Sequence, residues 1–213
     1  MHVLHLRMIE LLKTADKELF LFLNGMHNSF FDFIMSWASD RFVWIPFYFL
    51  LLVILINEYG KKAIFILILI ASMITVSDQF SSSIVKNSVQ RLRPCHNPEI
   101  ESMVHLVNGV CGGSFGYFSS HASNTSALAL FIILILRRSR KKEMMITKKI
   151  RLGKQVLFNL LIIYTLLVSY SRIYLGSHYP FDVFTGIVFG SLLSFIFAQI
   201  FFRFGKSKTQ VNS

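Results

Sequence analysis

Five apolar stretches, at residues 42–56, 63–85, 121–136, 156–171 and 181–202, dominate this chain. Each approaches the length needed to cross a bilayer core of about 30 Å. Hydrophobic residues make up 54% of the 213, more than a soluble domain of this size hides. The stretches therefore specify an all-α, polytopic membrane helix bundle with five core transmembrane helices. The N-terminal run is broken by Arg7, Glu10 and Lys13, so no cleavable signal peptide is expected. Residues 8–24 mix Ile9, Leu11, Leu12, Leu19, Phe20 and Phe22 with Lys13, Asp16, Lys17 and Glu18, the pattern of an amphipathic helix lying on a membrane surface. A sixth crossing through this region is the alternative, and it would require neighbouring helices to cover those charges. The expected organisation is an interfacial region over 1–40, one transmembrane domain over 41–205 and a cytoplasmic tail over 206–213.

The net charge of +11 raises the question of nucleic acid, and its distribution answers against it. Arg137, Arg138, Arg140, Lys141, Lys142, Lys148, Lys149, Arg151 and Lys154 crowd the loop between the third and fourth stretches. Lys61 and Lys62 precede the second stretch, and Arg203, Lys206 and Lys208 close the last. Alternating spans put all of these at one membrane face, which the positive-inside rule assigns to the cytoplasm. Anionic headgroups there are sufficient partners. The remaining loops, 86–118 and 172–180, then meet at the outer face of a bacterial plasma membrane, and chemistry should be sought there. Turn signals at Arg93-Pro94, Asn97-Pro98 and Cys111-Gly112-Gly113 mark the longer one.

Cys95 and Cys111 both fall in that long outer loop. In an oxidising compartment they would form a disulfide closing the loop; two free thiols are the other reading. A zinc site with His96 and His105 fits no standard ligand spacing.

Three clusters of reactive residue types stand at the outer ends of three stretches. Lys86 and Arg93 lie seven residues apart, so a helix continuing to Leu92 would set two cations on one stripe, suited to a phosphate dianion, before Pro94 ends it. Snorkelling anchors are the plain alternative. Ser119-Ser120-His121 precedes the third stretch, where a serine caps a helix whose N-terminus attracts anions and a histidine can exchange a proton. A capping serine beside an interfacial histidine would look the same. The third cluster is Ser171-Arg172, His178 and Asp182, with Pro180 opening the last helix. Asp182, four residues after His178, is placed to accept a hydrogen bond from one ring nitrogen and leave the other free to attack phosphorus. A carboxylate at a span boundary is costly without such a task.

These clusters resemble the type-2 phosphatidic acid phosphatase family, which shares its core with vanadium haloperoxidases and glucose-6-phosphatase. The first family motif, Lys, six residues, Arg-Pro, is met by Lys86 through Pro94. The third, Ser-Arg, five residues, His, three residues, Asp, is met by Ser171-Arg172, His178 and Asp182. The second, Pro-Ser-Gly-His, is met only in part: Phe118-Ser119-Ser120-His121 keeps the serine and the histidine. The resemblance implies that His178 is the nucleophile and Asp182 orients it, while His121 protonates the leaving oxygen and then activates water. It further implies that Lys86, Arg93, Ser119, Ser120 and Arg172 hold the phosphoryl oxygens, with no metal and no cofactor.

The function implied is removal of phosphate from a lipid through a phosphohistidine. Undecaprenyl diphosphate is the first choice of substrate, with lipid A phosphate or phosphatidylglycerophosphate as alternatives. A non-catalytic lipid-phosphate binding or transport protein is the reading of another class. The sequence shows no oligomeric state.

Overall fold

The computed structural model of this chain describes residues 2–139 and 141–205. Arg140 and the tail 206–213, with Lys206 and Lys208, lie outside the described residues. Helices α1 (His2–Gly25) and α2 (Ser29–Ser39) lead into α3 (Ile45–Tyr59). Helix α4 (Lys62–Gln79) passes through a π-helical turn, Phe80–Val85, into α5 (Lys86–Val89), a run of 28 residues. After a long loop come α6 (Ser120–Arg137), an antiparallel hairpin of β1 (Glu143–Met145) and β2 (Arg151–Gly153), α7 (Lys154–Tyr174) and α8 (Pro180–Phe204).

Lys62–Val89, α6, α7 and α8 are long and apolar enough to cross a membrane, and α3 is a shorter apolar helix. These are the five core helices expected, and the chain is a multi-pass membrane protein. Lipid-facing residues such as Phe49, Ile64, Ile68, Phe184 and Leu192 are exposed, whereas Ile66, Met73, Phe131, Ile132, Leu136 and Leu161 fill the bundle core. The hairpin inside the basic loop was not anticipated. Its Met144 is buried, and Asn57 at the end of α3 donates to the Met145 and Ile146 carbonyls.

The contact that organises the bundle is α6 on α8. Gly186 and Gly190, four apart on α8, let the two backbones meet. A Cβ at Gly186 would stand 2.5 Å from the Ser119 carbonyl oxygen, and one at Gly190 would collide with the Ser123 carbonyl. One turn on, the Ser194 hydroxyl donates to the Ala127 carbonyl at 2.8 Å. At the outer end, the Ser119 N–H donates to the Asp182 carbonyl at 3.0 Å. Close approach along the stripe thus brings the N-termini of α6 and α8 side by side.

Helix α1 is not among the described helices long and apolar enough to cross a membrane. Asp16, Phe20 and Asn24, spaced at four, form its buried face, while Leu11, Leu12, Leu19 and Phe22 are exposed. Its partners all belong to the outer end of the bundle. Asn24 donates to the Tyr174 carbonyl at 2.7 Å and accepts the His105 N–H at 2.8 Å, and Lys17 pairs with Glu99 at 2.7 Å. The helix lies across the ends of α7 and α8, as an interfacial helix would. Helix α2, capped by Asn28, which accepts the Phe31 N–H at 3.0 Å, continues this layer. Its Phe30, Phe33 and Trp37 are exposed, and its Asp32 accepts from Tyr174.

Candidate active site

The reactive residues stand where α5 and α7 end and α6 and α8 begin. Ser119 is the N-cap of α6; its side chain accepts the Ala122 N–H at 3.4 Å, so the expected cap is present. Ser120 and His121 form the first turn. His121 is exposed to a cavity of about 700 Å³, and Lys86, Arg93, Arg172 and His178 are all near enough to act on its charge. Pro180 opens α8 after Tyr179, as expected.

Lys86 and Arg93 come together by a route other than the expected helical stripe. Gln90 adopts a left-handed conformation, φ 50°, and ends the helix at Val89 rather than Leu92. The next residues find partners across the outer loop instead. The Arg93 N–H donates to the Ser114 carbonyl at 2.9 Å, and the Gly116 N–H donates to the Arg91 carbonyl at 2.8 Å. Arg93 thus enters the site from a short antiparallel bridge, with its side chain lodged against two glycines. A Cβ at Gly112 would stand 2.7 Å from Arg93 Nη1, and one at Gly116 would stand 3.1 Å from Arg93 Cγ. Cys95 and Cys111 are joined across this loop, Cα to Cα 6.2 Å, and His96 Nε2 lies 3.0 Å from the Gly112 carbonyl. His105 is elsewhere, bonded to Asp32 at 2.8 Å, so the residues of the zinc alternative do not assemble. Cys95, His96 and Cys111 do lie together, with both sulfurs engaged in the disulfide.

Arg172, in the last turn of α7, donates to the Ser39 hydroxyl at the end of α2. Its Nε is buried with no partner among the described residues, a donor that a phosphoryl oxygen would satisfy. His178 is fully buried and its Nδ1 is likewise unpartnered. Burial, then the charges of Arg93, Arg172 and Lys86, hold its pKa well below the ordinary imidazole value. That shift favours the neutral imidazole, which carries a lone pair on one ring nitrogen.

The expected hydrogen bond from His178 to Asp182 is not formed. Nδ1 and Oδ2 are 3.8 Å apart, beyond hydrogen-bond range. His178 precedes Pro180 and lies outside α8, so the four-residue spacing does not act as a helical turn. Asp182 Oδ2 instead accepts the Tyr179 N–H at 3.0 Å, and Oδ1 accepts from Arg91 Nη1 at 2.7 Å.

Arg91 was not singled out from the sequence. It sits in the six-residue gap of the first motif, where nothing in the pattern marks it. Asp16, read at first as one of several charges interrupting an interfacial helix, is 1% exposed and accepts from Arg91 Nη2 at 2.6 Å. Its membership of the buried stripe with Phe20 and Asn24 was the available signal.

The cavity at His121 descends from a polar mouth, with Ser39, Asp78, Gln79, Ser120 and Asn124, to Leu51, Leu55, Ile70, Leu128 and Ile132. The charges of Lys86, Arg93 and Arg172 act on both His121 and His178, and an apolar chamber opens beside His121.

Residues 61–206 match the PAP2 superfamily. The chain is 37% identical over 193 residues to a lipid A 4'-phosphatase of Bacteroides thetaiotaomicron, covering 89% of this chain and 78% of that protein. A lipid A 4'-phosphatase of Porphyromonas gingivalis is 29% identical over 196 residues, 91% of this chain and 75% of the relative. An undecaprenyl-diphosphatase of Sulfolobus acidocaldarius is 54% identical over 39 residues, which are 18% of this chain and 19% of that one. The same fold occurs in a transmembrane PAP2-type phosphatidylglycerolphosphate phosphatase of Bacillus subtilis, with a TM-score of 0.63 at 20% identity over 93% of this chain and 89% of that one. With the bundle, the three motifs and these relatives in agreement, the chain belongs to the PAP2 superfamily and is a membrane phosphatase.

Proposed function

We propose that this protein removes a phosphate group from lipid A, with His178 as the nucleophile. The observation that carries the mechanism is a buried His178 within reach of the charges of Lys86, Arg93 and Arg172 and beside His121, where α5 and α7 end and α6 and α8 begin. Nδ1 of His178 lies on the Asp182 side, so the tautomer protonated there leaves the Nε2 lone pair for attack. Nε2 bonds to phosphorus as the bond to the lipid oxygen breaks, and His121 gives that oxygen its proton. His121 then takes a proton from water, whose oxygen displaces His178 and releases inorganic phosphate. Lys86, Arg93, Arg172, the Ser119 hydroxyl and the backbone at Ser120 stabilise the negative charge spread over the transferring oxygens. Asp182 supports the imidazolium that forms when Nε2 is phosphorylated, moving from 3.8 Å into hydrogen-bond range as charge develops.

Substrate choice follows from how far each relative extends along the chain. The two lipid A 4'-phosphatases align over 89% and 91% of this chain, whereas the undecaprenyl-diphosphatase match is confined to 39 residues. Lipid A therefore replaces undecaprenyl diphosphate as first choice. The chamber lined by Leu51, Leu55, Ile70, Leu128 and Ile132 offers apolar room for an acyl chain beside the reacting phosphate, as a lipid substrate requires. The positive-inside pattern supports a site at the outer face of a bacterial plasma membrane.

Phosphate release from lipid A, undecaprenyl diphosphate and phosphatidylglycerophosphate by purified protein tests both parts. Lipid A should be turned over fastest, with mass spectrometry locating the loss at the 4' position, and His178→Ala should be inactive. Faster release from either other lipid overturns the substrate, and normal turnover by His178→Ala overturns the mechanism.

A further inference from the structure

We infer that Arg91, clamped between Asp16 and Asp182, is a positioning residue that makes the interfacial helix α1 part of the catalytic machinery; this rests on reading His178 and Asp182 as the nucleophile pair. One guanidinium bridges two buried carboxylates, Nη1 to Asp182 at 2.7 Å and Nη2 to Asp16 at 2.6 Å. Its carbon lies 4.0 Å from the centre of the Tyr179 ring, which fixes its plane. Asp16 makes a second bond, accepting the Phe181 N–H at 2.9 Å in the first turn of α8. An anion at that end is favourable, so Asp16 holds the helix start as well as the arginine. The connections run from α1 through Asp16 to Arg91 and Phe181, and from Arg91 to Asp182 beside His178.

Charge explains why two carboxylates are needed. A buried carboxylate requires a cationic partner, and Arg91 supplies one for Asp182. Were Arg91 shared with nothing else, it would neutralise Asp182 and leave little negative charge for the imidazolium formed during turnover. Asp16 draws on the same guanidinium, so the trio keeps one net negative charge next to His178. It also holds Asp182 Oδ1, while Oδ2, which accepts the Tyr179 N–H, lies 3.8 Å from His178 Nδ1. Lysine cannot reproduce this geometry, because it lacks the planar fork that spans both carboxylates. Asp16 lies outside residues 61–206, so the family match does not include this half of the clamp.

The test compares Asp16→Asn, Arg91→Lys, His178→Ala and Lys13→Ala in the full-length protein in detergent. Its substrate is whichever lipid phosphate the three-lipid assay shows to be turned over fastest. Lys13 is exposed on the same helix and pairs only with exposed Glu10, so Lys13→Ala should keep wild-type rates. Asp16→Asn, which preserves shape, and Arg91→Lys should each lower kcat by about 10- to 100-fold with KM within about twofold, since a displaced catalytic group costs rate rather than binding. Their thermal unfolding should track wild type closely enough that lost rate exceeds lost folded protein. Wild-type kcat in both variants, a change confined to KM, or a rate loss matched by unfolding or by Lys13→Ala overturns the inference. Activity surviving in His178→Ala would instead remove the nucleophile reading beneath it.

Discussion

The two ends of this bundle carry the same residue types under opposite conditions. At the basic end, Arg151 meets Glu143 at 3.5 Å with side chains 66% and 56% exposed, and Lys141 reaches Glu58 with its own side chain largely in solvent. At the outer end, Arg93 is 9% exposed, and Arg91 bridges two carboxylates that are almost wholly buried. Exposed pairs are screened and flexible and contribute little. Buried ones are costly to assemble, so each needs a cap, a glycine cradle or a countercharge to persist. Abundance of exposed positive charge thus distinguishes one end of the bundle, whereas burial of positive charge distinguishes the end proposed to carry the chemistry.

Substitutions can break that contrast. The largest effect should come from Arg93→Gln, which removes a buried cation from the phosphate site; kcat should fall by about 10²- to 10³-fold in phosphate-release assays, the usual loss for one transition-state donor. A loss below tenfold would mean that Lys86 and Arg172 suffice. Gly190→Leu should come next, acting on packing rather than on charge. Its side chain must displace the Ser123 carbonyl and separate the helix starts, which overpacking data put at about 1–3 kcal/mol. A lowered thermal midpoint in detergent together with reduced kcat is expected, and an unchanged midpoint would deny that α6 and α8 meet along this stripe. Arg151→Gln at the basic end should be smallest, leaving both turnover and melting at wild-type values. A measurable loss there would erase the distinction between the two ends.

Much of the outer end was legible before any coordinates. Length and apolarity marked the five spans, and the cap at Ser119 and the start at Pro180 follow from local chemistry that acts over three or four residues. What escaped depends on distance along the chain. Arg91 meets Asp16 across 75 residues and Asp182 across 91, and no local pattern encodes such a meeting. The helix end at Val89 escaped because Pro94 was the conspicuous terminator, while the cross-loop partners of residues 91–93 compete successfully four residues earlier. The Gly186–Gly190 spacing was visible in the sequence and was passed over because both glycines sit within an uninterrupted apolar run. Helix α1 misled in a different way: its charges were read as facing water, yet Asp16 belongs to its buried side. In a helix lying on lipid, the apolar face is the one turned away from the protein.

The π-helical turn at Phe80–Val85 gives the second crossing two independent settings. Each residue of an α-helix advances the side-chain direction by about 100°, and a π turn absorbs one residue more than an α turn. The stretch before it presents its bulky residues to lipid in one phase, and Lys86 after it points into the site in another. Drift in the lipid-facing half need not carry the lysine around with it, so the membrane surface of this helix can be remodelled while its end at Lys86 keeps its aim. Removing a single serine from positions 81–83 should restore an α turn and leave Lys86 pointing close to its present direction.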